Sequence, residues 1–327
     1  MKIEKKNMNK KKLNFAVIGV AGYIAPRHLK AIDETGNKIV AAVDPHESVG
    51  ILDKYGYEIK YFKEIERFDR YMYKAKRQNK DKSIEWVSVC SPNYLHDAHI
   101  RLALRNSANV ICEKPIVINP WNLDALMELE EETGKKVFTV LQLRVHPKLL
   151  RLRDEIKNNK EERFQVEVTY ITPRGEWYHH SWKGKEEYSG GIAVNIGVHL
   201  FDLLMWLFGN PLQSEVHYKD EKRISGALIL KRADVKWFLS ISKDDLSCLN
   251  LKEGRGTFRK ISVNGKNIEF SEGFTDLHTI LYQKTLEGSG FGIEEARKSI
   301  ELVYKIRTAG FGNNLSPHPL LSKINKI

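Results

Sequence analysis

The stretch GVAGYIAPRH at residues 19–28 decides the fold, because it is a turn of small residues between an apolar run and a helix-like segment. Compared with the dinucleotide-binding pattern G-x-G-x-x-G, Gly19 matches, Ala21 stands at the second glycine with Gly22 beside it, and Ile24 stands at the third. A side chain as small as that of Ala21 still lets backbone N–H groups approach a pyrophosphate. The turn alone fits a plain strand-to-helix connection equally well. The residues around it therefore decide whether it is predicted to bind a nucleotide.

Asp44 ends the next apolar run, about twenty residues past the turn, where an acidic side chain meets the adenosine ribose in nucleotide-binding folds. Pro45 and His46 follow it, so no neighbouring arginine is placed to receive a 2′-phosphate. Together with the turn, Asp44 predicts a variant but intact nucleotide site that prefers NAD to NADP.

The pattern around this turn predicts an α/β protein of two parts. In residues 13–146, near-continuous apolar runs alternate with amphipathic segments, which indicates a doubly wound parallel sheet of the Rossmann type. The predicted strands are residues 14–20, 38–44, 85–91, 109–115 and 136–144, and the predicted helices include residues 94–106 and 120–135.

The second part, residues 147–327, is predicted to be an α+β domain with a large, mostly antiparallel sheet. Its apolar runs are longer and alternate with polar residues, and Asn264-Gly265 indicates a tight hairpin. The apolar segment 192–209 is predicted as one helix buried nearly all round. Residues 1–12 are expected to form a basic, flexible leader.

The composition excludes several classes of function. The net charge of +11 comes from lysines and arginines spread along the chain, without a nucleic-acid-binding signature, so no nucleic-acid partner is predicted. The basic start and the apolar run after it resemble a signal peptide, but that run serves better as the first strand, and no membrane-spanning run is expected. Cys90, Cys112 and Cys248 form no C-x-x-C pair, which suits a reducing cytoplasm.

Polar residues follow two further predicted strands, at the carboxyl edge where open α/β sheets bind ligands. The two segments are SPNYLH at residues 91–96 and EKP at residues 113–115. An ionisable lysine that closes an apolar strand is costly to bury unless it is used, so Lys114 is a candidate catalytic residue. Pro115 rigidifies the exit from that strand.

Three polar residues interrupt the apolar segment 192–209. Asn195, His199 and Asp202 are spaced by four and then three residues, which places them on one face of a helix. A hydrogen-bonded core histidine is the plain alternative. We take His199 as a candidate base, since a neutral imidazole accepts a proton near pH 7. The sequence leaves open which of His199 and Lys114 takes the proton.

These motifs make the chain resemble the Gfo/Idh/MocA family of NAD(P)-dependent sugar oxidoreductases, from about Leu13 to Pro319. The strand-end S-P-N-x-x-H, the E-K-P triplet and a D-x-G-x-H-x-x-D helix carry the resemblance. The first Asp of that helix is Asn195 here, which can position substrate but cannot act as a base. The resemblance implies that Lys114 touches the hydroxyl being oxidised. It also implies that NAD is held by Gly19, Ala21, Gly22, Tyr23, Ile24, Asp44, Ser91, Pro92, Asn93, His96, Glu113 and Lys114.

Within the family, several segments are similar to UDP-N-acetyl-glucosaminuronate 3-dehydrogenases of the WlbA/WbpB type: residues 19–28, 174–184, 195–202 and 271–278. The similarity implies NAD-dependent oxidation of the C3 hydroxyl of that UDP-sugar, for a diamino uronic acid of surface polysaccharide. It also implies a cytoplasmic homo-oligomer, a tetramer or a dimer, whose second domain binds substrate and forms subunit contacts. Some relatives reoxidise the cofactor with 2-oxoglutarate, which the sequence neither requires nor excludes.

The segment 174–184 mixes cations with aromatic rings, a combination that suits a nucleotide diphosphate. Subunit contacts use the same residue types, so that alternative stays open. Arg144 lies at the end of the last predicted strand of the first sheet, so we expect it near the same substrate-binding region. The predicted substrate-binding residues are Arg144, Arg174, Trp177, Tyr178, Trp182, Lys183, Asn195, His199 and Asp202.

Other kinds of site are less well supported by the sequence. A metal site is not expected, because His96 and His99 lack a third ligand nearby and the cysteines lack zinc spacing. The Y-x-x-x-K pair of short-chain dehydrogenases occurs only at residues 218–222, in a charged, loop-like stretch. Alternative functions are dehydrogenation of another nucleotide sugar or a cyclitol, and a non-catalytic NAD sensor, although the retained reacting groups argue against the sensor.

Overall fold

A six-stranded parallel sheet forms the first half of the computed structural model, which describes residues 11–78, 83–159, 163–247, 249 and 256–324. Residues 1–10 of the predicted leader and Cys248 lie outside these ranges. The strand order is β3-β2-β1-β4-β5-β6, the doubly wound Rossmann arrangement. The strands are β1 (Asn14–Ile18), β2 (Lys38–Val43), β3 (Lys60–Phe62), β4 (Trp86–Val89), β5 (Asn109–Cys112) and β6 (Val137–Thr139).

Helices cover both faces of this sheet, which explains why β1 and β4 are buried along their whole length. The helices of this half are α1 (Ala25–Glu34), α2 (Ile65–Gln78), α3 (His96–Arg105) and α4 (Trp121–Thr133). The sequence did not indicate β3, because an edge strand of three partly exposed residues carries no apolar run. Cys112 in β5 and Cys90 just after β4 are buried free thiols.

The second half contains a mixed six-stranded sheet in the order β12-β11-β7-β10-β9-β8. Only β10 and β7 run parallel; the other neighbours are antiparallel. The predicted fold class, a Rossmann sheet followed by a mostly antiparallel sheet, is therefore confirmed. The strands are β7 (Phe164–Ile171), β8 (Pro211–Lys219), β9 (Arg223–Leu230), β10 (Ala233–Ser240), β11 (Phe258–Val263) and β12 (Lys266–Glu269).

The hairpin between β11 and β12 follows from residue chemistry. Asn264 and Gly265 both have positive φ between β11 and β12, as a two-residue hairpin requires. Tyr218 lies in β8, not in the loop that the sequence suggested, so the Y-x-x-x-K pair has no helix to sit on. The remaining helices are α5 (Pro147–Asn158), α6 (Trp177–His180), α7 (Glu186–Ser189), α8 (Gly191–Asn195), α9 (Gly197–Phe208), α10 (Lys243–Ser247), α11 (Leu277–Leu286), α12 (Ile293–Thr308) and α13 (Pro319–Ile324).

The apolar helical region differs from its prediction in two ways. Residues 186–208 are long and apolar enough to span a membrane, contrary to the sequence-based expectation, but 78% of their apolar 18-residue window is buried inside the protein. The region is also interrupted at Gly190, which has φ +80°, and again at Ile196, so Asn195 ends one helix and His199 belongs to the next. This packing makes the region the central core element of the second half.

The last helices return to the first half of the molecule. α11 packs against α1, and α12 lies against β6 as well as α9. The carboxyl edge of the parallel sheet is therefore bordered by residues from both halves of the chain, and the candidate active site lies there.

Candidate active site

The turn after β1 leaves room for a pyrophosphate beside the backbone. Gly19 has φ +84°, and a Cβ there would lie 2.6 Å from the backbone nitrogen of Ser91, so only glycine fits. The Gly22 N–H donates to the Gly19 carbonyl, and α1 then begins at Ala25. Within the described residues, the N–H groups of Tyr23 and Ile24 have no protein acceptor. Amides at the start of a helix bind phosphate, so the turn fits a dinucleotide.

Asp44 lies at the end of β2 and is tied to this turn. Its carboxylate accepts the N–H of Ala21 at 2.9 Å and the N–H of His46 at 2.9 Å. The Tyr61 hydroxyl donates to the Asp44 carbonyl. The carboxylate is thereby fixed beside the nucleotide turn, where it also fits the predicted contact with a ribose.

Hydrogen bonds hold the segment after β4. Ser91 Oγ lies 2.8 Å from His99 Nδ1, and Asn93 Nδ2 donates to the Ser189 carbonyl at 3.0 Å and to Asn195 Oδ1 at 3.3 Å. His96 is fully buried, with Nδ1 2.7 Å from the Pro115 carbonyl oxygen and Nε2 2.8 Å from that of Ser91. His96 therefore joins the segments after β4 and β5 from inside, and its predicted contact with the cofactor stays a prediction.

Glu113 is the centre of a buried polar network. Its Oε1 accepts His28 Nε2 and His278 Nε2, each at 3.0 Å, and its Oε2 accepts the Lys114 N–H at 3.2 Å. Burial opposes ionisation, but the hydrogen bonds from His278 and His28 outweigh it and hold the pKa of Glu113 well below its usual value. The carboxylate thus faces the protein interior, which gives it a positioning role.

Two more residues extend the network through the first sheet. The Tyr282 hydroxyl lies 2.7 Å from His28 Nδ1 and 2.6 Å from Ser88 Oγ. His28, Glu113 and His278 also present ligand atoms within 4.8 Å of one another, a grouping that the sequence analysis missed when it considered metals. Glu113 Oε1 already pairs with the Nε2 atoms of both histidines, whereas His278 Nδ1 is buried without a hydrogen-bond partner among the described residues.

Lys114 follows Glu113 and points into the site. Its Nζ donates to the Asn195 carbonyl at 3.0 Å, an oxygen made available where α8 ends. The Asn195 side chain donates to the Tyr178 hydroxyl at 3.0 Å. Burial lowers the pKa of Lys114 to about 8; the Glu113 carboxylate opposes this, and the charges of Arg174, Lys183 and Arg259 add to it. A neutral amine is therefore accessible near neutral pH.

His199 lies on α9 beside Lys114. Its side chain is buried, and its Nδ1 has no hydrogen-bond partner among the described residues. Burial, followed by the charge of Lys114, holds its pKa well below the usual value, so the imidazole is neutral. Nδ1 is enclosed by the protein, whereas Nε2 is not among the enclosed, unpartnered atoms, so Nε2 is the ring nitrogen that a substrate hydroxyl can reach.

The loop around α6 contributes charge and aromatic surface. Lys183 Nζ lies 5.2 Å from the centre of the Trp177 ring and 5.3 Å from that of Trp182. Trp177 is 55% exposed, and Tyr178 is buried against Asn195. Among the described residues, no carboxylate forms an ion pair with Lys183 or Arg174. The site is thus strongly cationic, which suits an anionic ligand.

Arg144 and Asp202 bind each other. Arg144 Nε donates to Asp202 Oδ2 at 2.9 Å and Nη2 to Oδ1 at 2.6 Å, with side-chain exposures of 11% and 2%. The Arg144 guanidinium also lies over the Phe291 ring. This ion pair joins the turn after β6 to α9, so both groups support the helix that carries His199. Their predicted contacts with substrate stay predictions.

Comparison with protein families decides the identity of this fold. The family described as an oxidoreductase family with an NAD-binding Rossmann fold matches residues 13–141, and its C-terminal alpha/beta domain matches residues 156–228. The chain belongs to the Gfo/Idh/MocA oxidoreductase family. The predicted family and the NAD-binding domain are confirmed.

Solved structures of Gfo/Idh/MocA proteins include two that cover nearly the whole chain. Both are the WlbA (WbpB) dehydrogenase of Thermus thermophilus, one in complex with NAD and UDP-GlcNAcA and one with NAD and alpha-ketoglutarate. They are 45% and 46% identical to this chain, have TM-scores of 0.89, and cover 94% of it and 99% of their own length. The WlbA dehydrogenase of Bordetella pertussis, at 19% identity and a TM-score of 0.73, shares the fold.

Curated members of the Gfo/Idh/MocA family match over shorter stretches. D-glucoside 3-dehydrogenase of Escherichia coli is 28% identical over 42% of this chain and 40% of its own length. Inositol 2-dehydrogenase of Rhizobium meliloti is 26% identical over 60% of this chain and 55% of its own length. The chain therefore spans about half the length, or less, of these curated relatives in the matched region.

Arg259 in β11 is a further candidate residue of this Gfo/Idh/MocA site that sequence reasoning missed. Its charge is near enough to lower the pKa values of Lys114 and His199. The signal was the strand alternation: Arg259 shares a face with Ile261 and Val263, which both belong to the core. A cation at a core-facing position of a strand is the sequence signal that could have identified Arg259 as a candidate ligand-binding residue.

Proposed function

We propose that this protein oxidises the C3 hydroxyl of UDP-N-acetyl-D-glucosaminuronic acid to the 3-keto sugar with NAD. The observation that carries the proposal is the 45% identity, over 94% of this chain, to a dehydrogenase solved with NAD and UDP-GlcNAcA. The local geometry supports it, because Lys114, Asn195 and His199 meet at the carboxyl edge of the sheet. The cations around Lys114 suit the diphosphate and the carboxylate of that sugar.

Each reacting group has a role that its environment supports. NAD, when bound, accepts the hydride that leaves C3. Lys114 in its neutral form takes the hydroxyl proton, and the resulting ammonium donates to the Asn195 carbonyl that already holds Nζ. Neutral His199 hydrogen-bonds the same substrate oxygen through Nε2, the ring nitrogen that is not enclosed by the protein, and directs it towards Lys114. The Arg144–Asp202 ion pair supports the helix that carries His199, and Glu113 holds the backbone of Lys114.

The setting of the reaction is part of the proposal. In the return reaction C2 of 2-oxoglutarate takes the hydride from the reduced cofactor, and the Lys114 ammonium gives its proton to the C2 oxygen; a relative binds 2-oxoglutarate together with NAD. The 3-keto sugar then feeds synthesis of a diamino uronic acid for surface polysaccharide such as O-antigen. We place the enzyme in the cytoplasm as a homo-oligomer, a tetramer or a dimer. Exposed Leu212 and Phe311 beside the edge strand β8 support subunit contacts.

A substrate panel tests the proposal. Cofactor reduction is followed with UDP-N-acetyl-glucosaminuronate, UDP-N-acetyl-glucosamine, UDP-glucuronate and myo-inositol, each with and without 2-oxoglutarate. We expect activity with the first compound alone and repeated turnover only with 2-oxoglutarate. Comparable rates with UDP-glucuronate would show that the enzyme does not recognise the N-acetyl group. Activity with myo-inositol alone would replace the proposal with a cyclitol dehydrogenase.

A further inference from the structure

Arg259 is an arginine on the core-facing side of the second sheet. In the pairing of β11 with β7 it lies opposite Tyr170, and Ile261 and Val263 follow it on the same face. Tyr170, Ile261 and Val263 all belong to the hydrophobic core, whereas Arg259 carries a permanent charge. A charge in that register is unfavourable unless it has a partner.

The structure supplies the guanidinium with stacking surfaces but not with an anion. Its central carbon lies 5.1 Å from the centre of the Tyr170 ring and 4.7 Å from that of Phe274. The Nε atom is buried and has no hydrogen-bond partner. Among the described residues, no carboxylate forms an ion pair with Arg259. The side chain is therefore fixed in place with donor groups left for a ligand.

Geometry places Arg259 beside the turn after β6, because the Phe274 ring that stacks on its guanidinium also packs against His146, with ring centres 5.4 Å apart. Consistent with this position, the charge of Arg259 lowers the pKa values of His146, of Lys114 after β5 and of His199 in α9. The other charges that act on Lys114 are those of Glu113, Arg174 and Lys183. Arg259 thus borders the place where the reacting carbon is held, on the side of the second sheet.

The chemistry of the two substrates limits what this arginine binds. In the uronic acid, the carboxylate carbon is three bonds from C3, through C4 and C5. In 2-oxoglutarate, the far carboxylate carbon is also three bonds from C2, the carbon that is reduced. Both molecules therefore present a reacting carbon and a carboxylate at the same separation when the connecting chain is extended. A planar guanidinium binds a carboxylate through two parallel hydrogen bonds.

We propose that Arg259 is a shared carboxylate-binding residue, which holds the uronate carboxylate in one half-reaction and the far carboxylate of 2-oxoglutarate in the other. The proposal rests on the proposed function for the identity of the two substrates. It explains how a single site accepts a sugar nucleotide and a small dicarboxylate in turn. Each is aligned by the same cation, with its reacting carbon beside Lys114.

Calorimetric titration of Arg259→Met tests the proposal. Methionine keeps an unbranched apolar stem between the two rings, and Arg259→Lys keeps the charge but loses the fork. For Arg259→Met we expect roughly ten- to hundredfold weaker binding of UDP-N-acetyl-glucosaminuronate and 2-oxoglutarate, the effect of one lost charged hydrogen bond. Binding of UDP-N-acetyl-glucosamine, which has no carboxylate, should be unchanged. The affinities of Arg259→Lys for the two carboxylate ligands should lie between those of the wild type and those of Arg259→Met.

Arg153 in α5 offers a matched control. Its Nε is also buried without a partner and its guanidinium stacks on Trp206, but it is not among the charges that act on Lys114 or His199. Arg153→Met should leave all three affinities unchanged. Equal weakening of UDP-N-acetyl-glucosamine and its uronate by Arg259→Met would overturn the proposal, because the loss would not depend on the carboxylate.

A probe without the nucleotide separates this proposal from the proposed function. Glutarate carries two carboxylates and no reacting group, so its binding reports the carboxylate site alone. If the wild-type protein rejects both nucleotide sugars, the proposed function fails, and glutarate then decides the role of Arg259. Binding that is lost in Arg259→Met and kept in Arg153→Met supports the carboxylate site. Equal binding by the two variants, or none by the wild type, overturns it.

Discussion

Lys114 differs from the other cations of the site in the state of its charge. Arg174 and Arg259 carry guanidinium groups, whereas burial lowers the pKa of the Lys114 ammonium to about 8, so that Lys114 can lose its proton near neutral pH. His199 has a pKa well below its usual value and stays neutral above it. These pKa directions favour Lys114 over His199 as the group that exchanges the proton, as we propose.

The two half-reactions should consequently depend on pH in opposite ways. Oxidation of the sugar needs neutral Lys114, so its rate should rise as the pH increases towards about 8 and level off above it. Reduction of 2-oxoglutarate needs the ammonium, so its rate should be constant below about pH 8 and fall above it. Stopped-flow absorbance of the reduced cofactor measures both. A flat oxidation profile between pH 6.5 and 9 would instead assign the base to His199.

Substitution of the two reacting groups should separate chemistry from binding. Lys114→Met and His199→Asn should each lower turnover by a factor of about 10²–10⁴, as loss of an acid–base group does, with NAD affinity nearly unchanged. Circular dichroism controls for folding. A folded His199→Asn variant with full turnover would remove His199 from the reaction.

Asp44 should determine the choice of cofactor. A 2′-phosphate would meet its carboxylate, so NAD should bind at least about a hundredfold more tightly than NADP. Asp44→Ser should narrow this gap. The same substitution should also weaken the binding of NAD, because the Asp44 carboxylate accepts the N–H of Ala21 in the nucleotide turn and that of His46 after β2. Calorimetry with both cofactors measures each effect, and equal affinities in the wild type would contradict the assignment.

Single residues show where sequence reasoning reaches its limit. Gly19, Asp44 and Lys114 were identifiable because each stands where a predicted strand ends. His96 and Glu113 lie at the predicted edge of the sheet, but their side chains face inward, and a sequence does not show which way a side chain points at a strand end. Their hydrogen-bond partners are far away along the chain, so the positioning role needed the three-dimensional structure.

At the scale of elements, the break between α8 and α9 contributes directly to the site. A continuous helix over 192–209 would use the Asn195 carbonyl for its own hydrogen bonding. The interruption at Ile196 makes that oxygen available to Lys114. Apolar periodicity predicted the helical region but not its break. A Cβ at Gly197 would lie 2.9 Å from the Leu239 side chain of β10, and such a close approach by a distant element is not visible in the local sequence pattern.

Loss of one partner of the ion pair between the turn after β6 and α9 should destabilise the protein strongly. Asp202→Asn leaves the buried Arg144 charge without its partner, and we expect the free energy of unfolding to fall by about 3–5 kcal/mol. Removal of both charges in Arg144→Met/Asp202→Leu should cost less, because no buried charge is left alone. Urea denaturation of the single and double variants measures the difference.

An exposed pair provides the comparison for this prediction. Glu155 and Lys266 form an ion pair with side-chain exposures of 55% and 65%, so Glu155→Gln should cost less than about 1 kcal/mol. If Asp202→Asn were as mild as Glu155→Gln, the Arg144–Asp202 pair would not be the element that holds α9 in place.

At the scale of the whole molecule, the Glu113 network connects segments far apart in sequence. Tyr282→Phe removes the hydroxyl that lies between His28 and Ser88, and each then loses a buried partner. We expect the free energy of unfolding to fall by about 1–3 kcal/mol. The control is Tyr73→Phe, whose hydroxyl is exposed and should contribute almost nothing. Urea denaturation measures both, and an unchanged stability in Tyr282→Phe would mean that the network is not a structural connection.

The return of α11 to α1 also constrains how relatives of this protein can be recombined. A chimera joined at residue 147 would take His28 and Glu113 from one parent and His278 and Tyr282 from the other. Unless the two parents agree at those positions, the hybrid would carry mismatched polar groups in its interior. Exchange of substrate specificity between relatives should therefore succeed when the transplanted segment stops before α11, and inherited changes at these four positions should occur together.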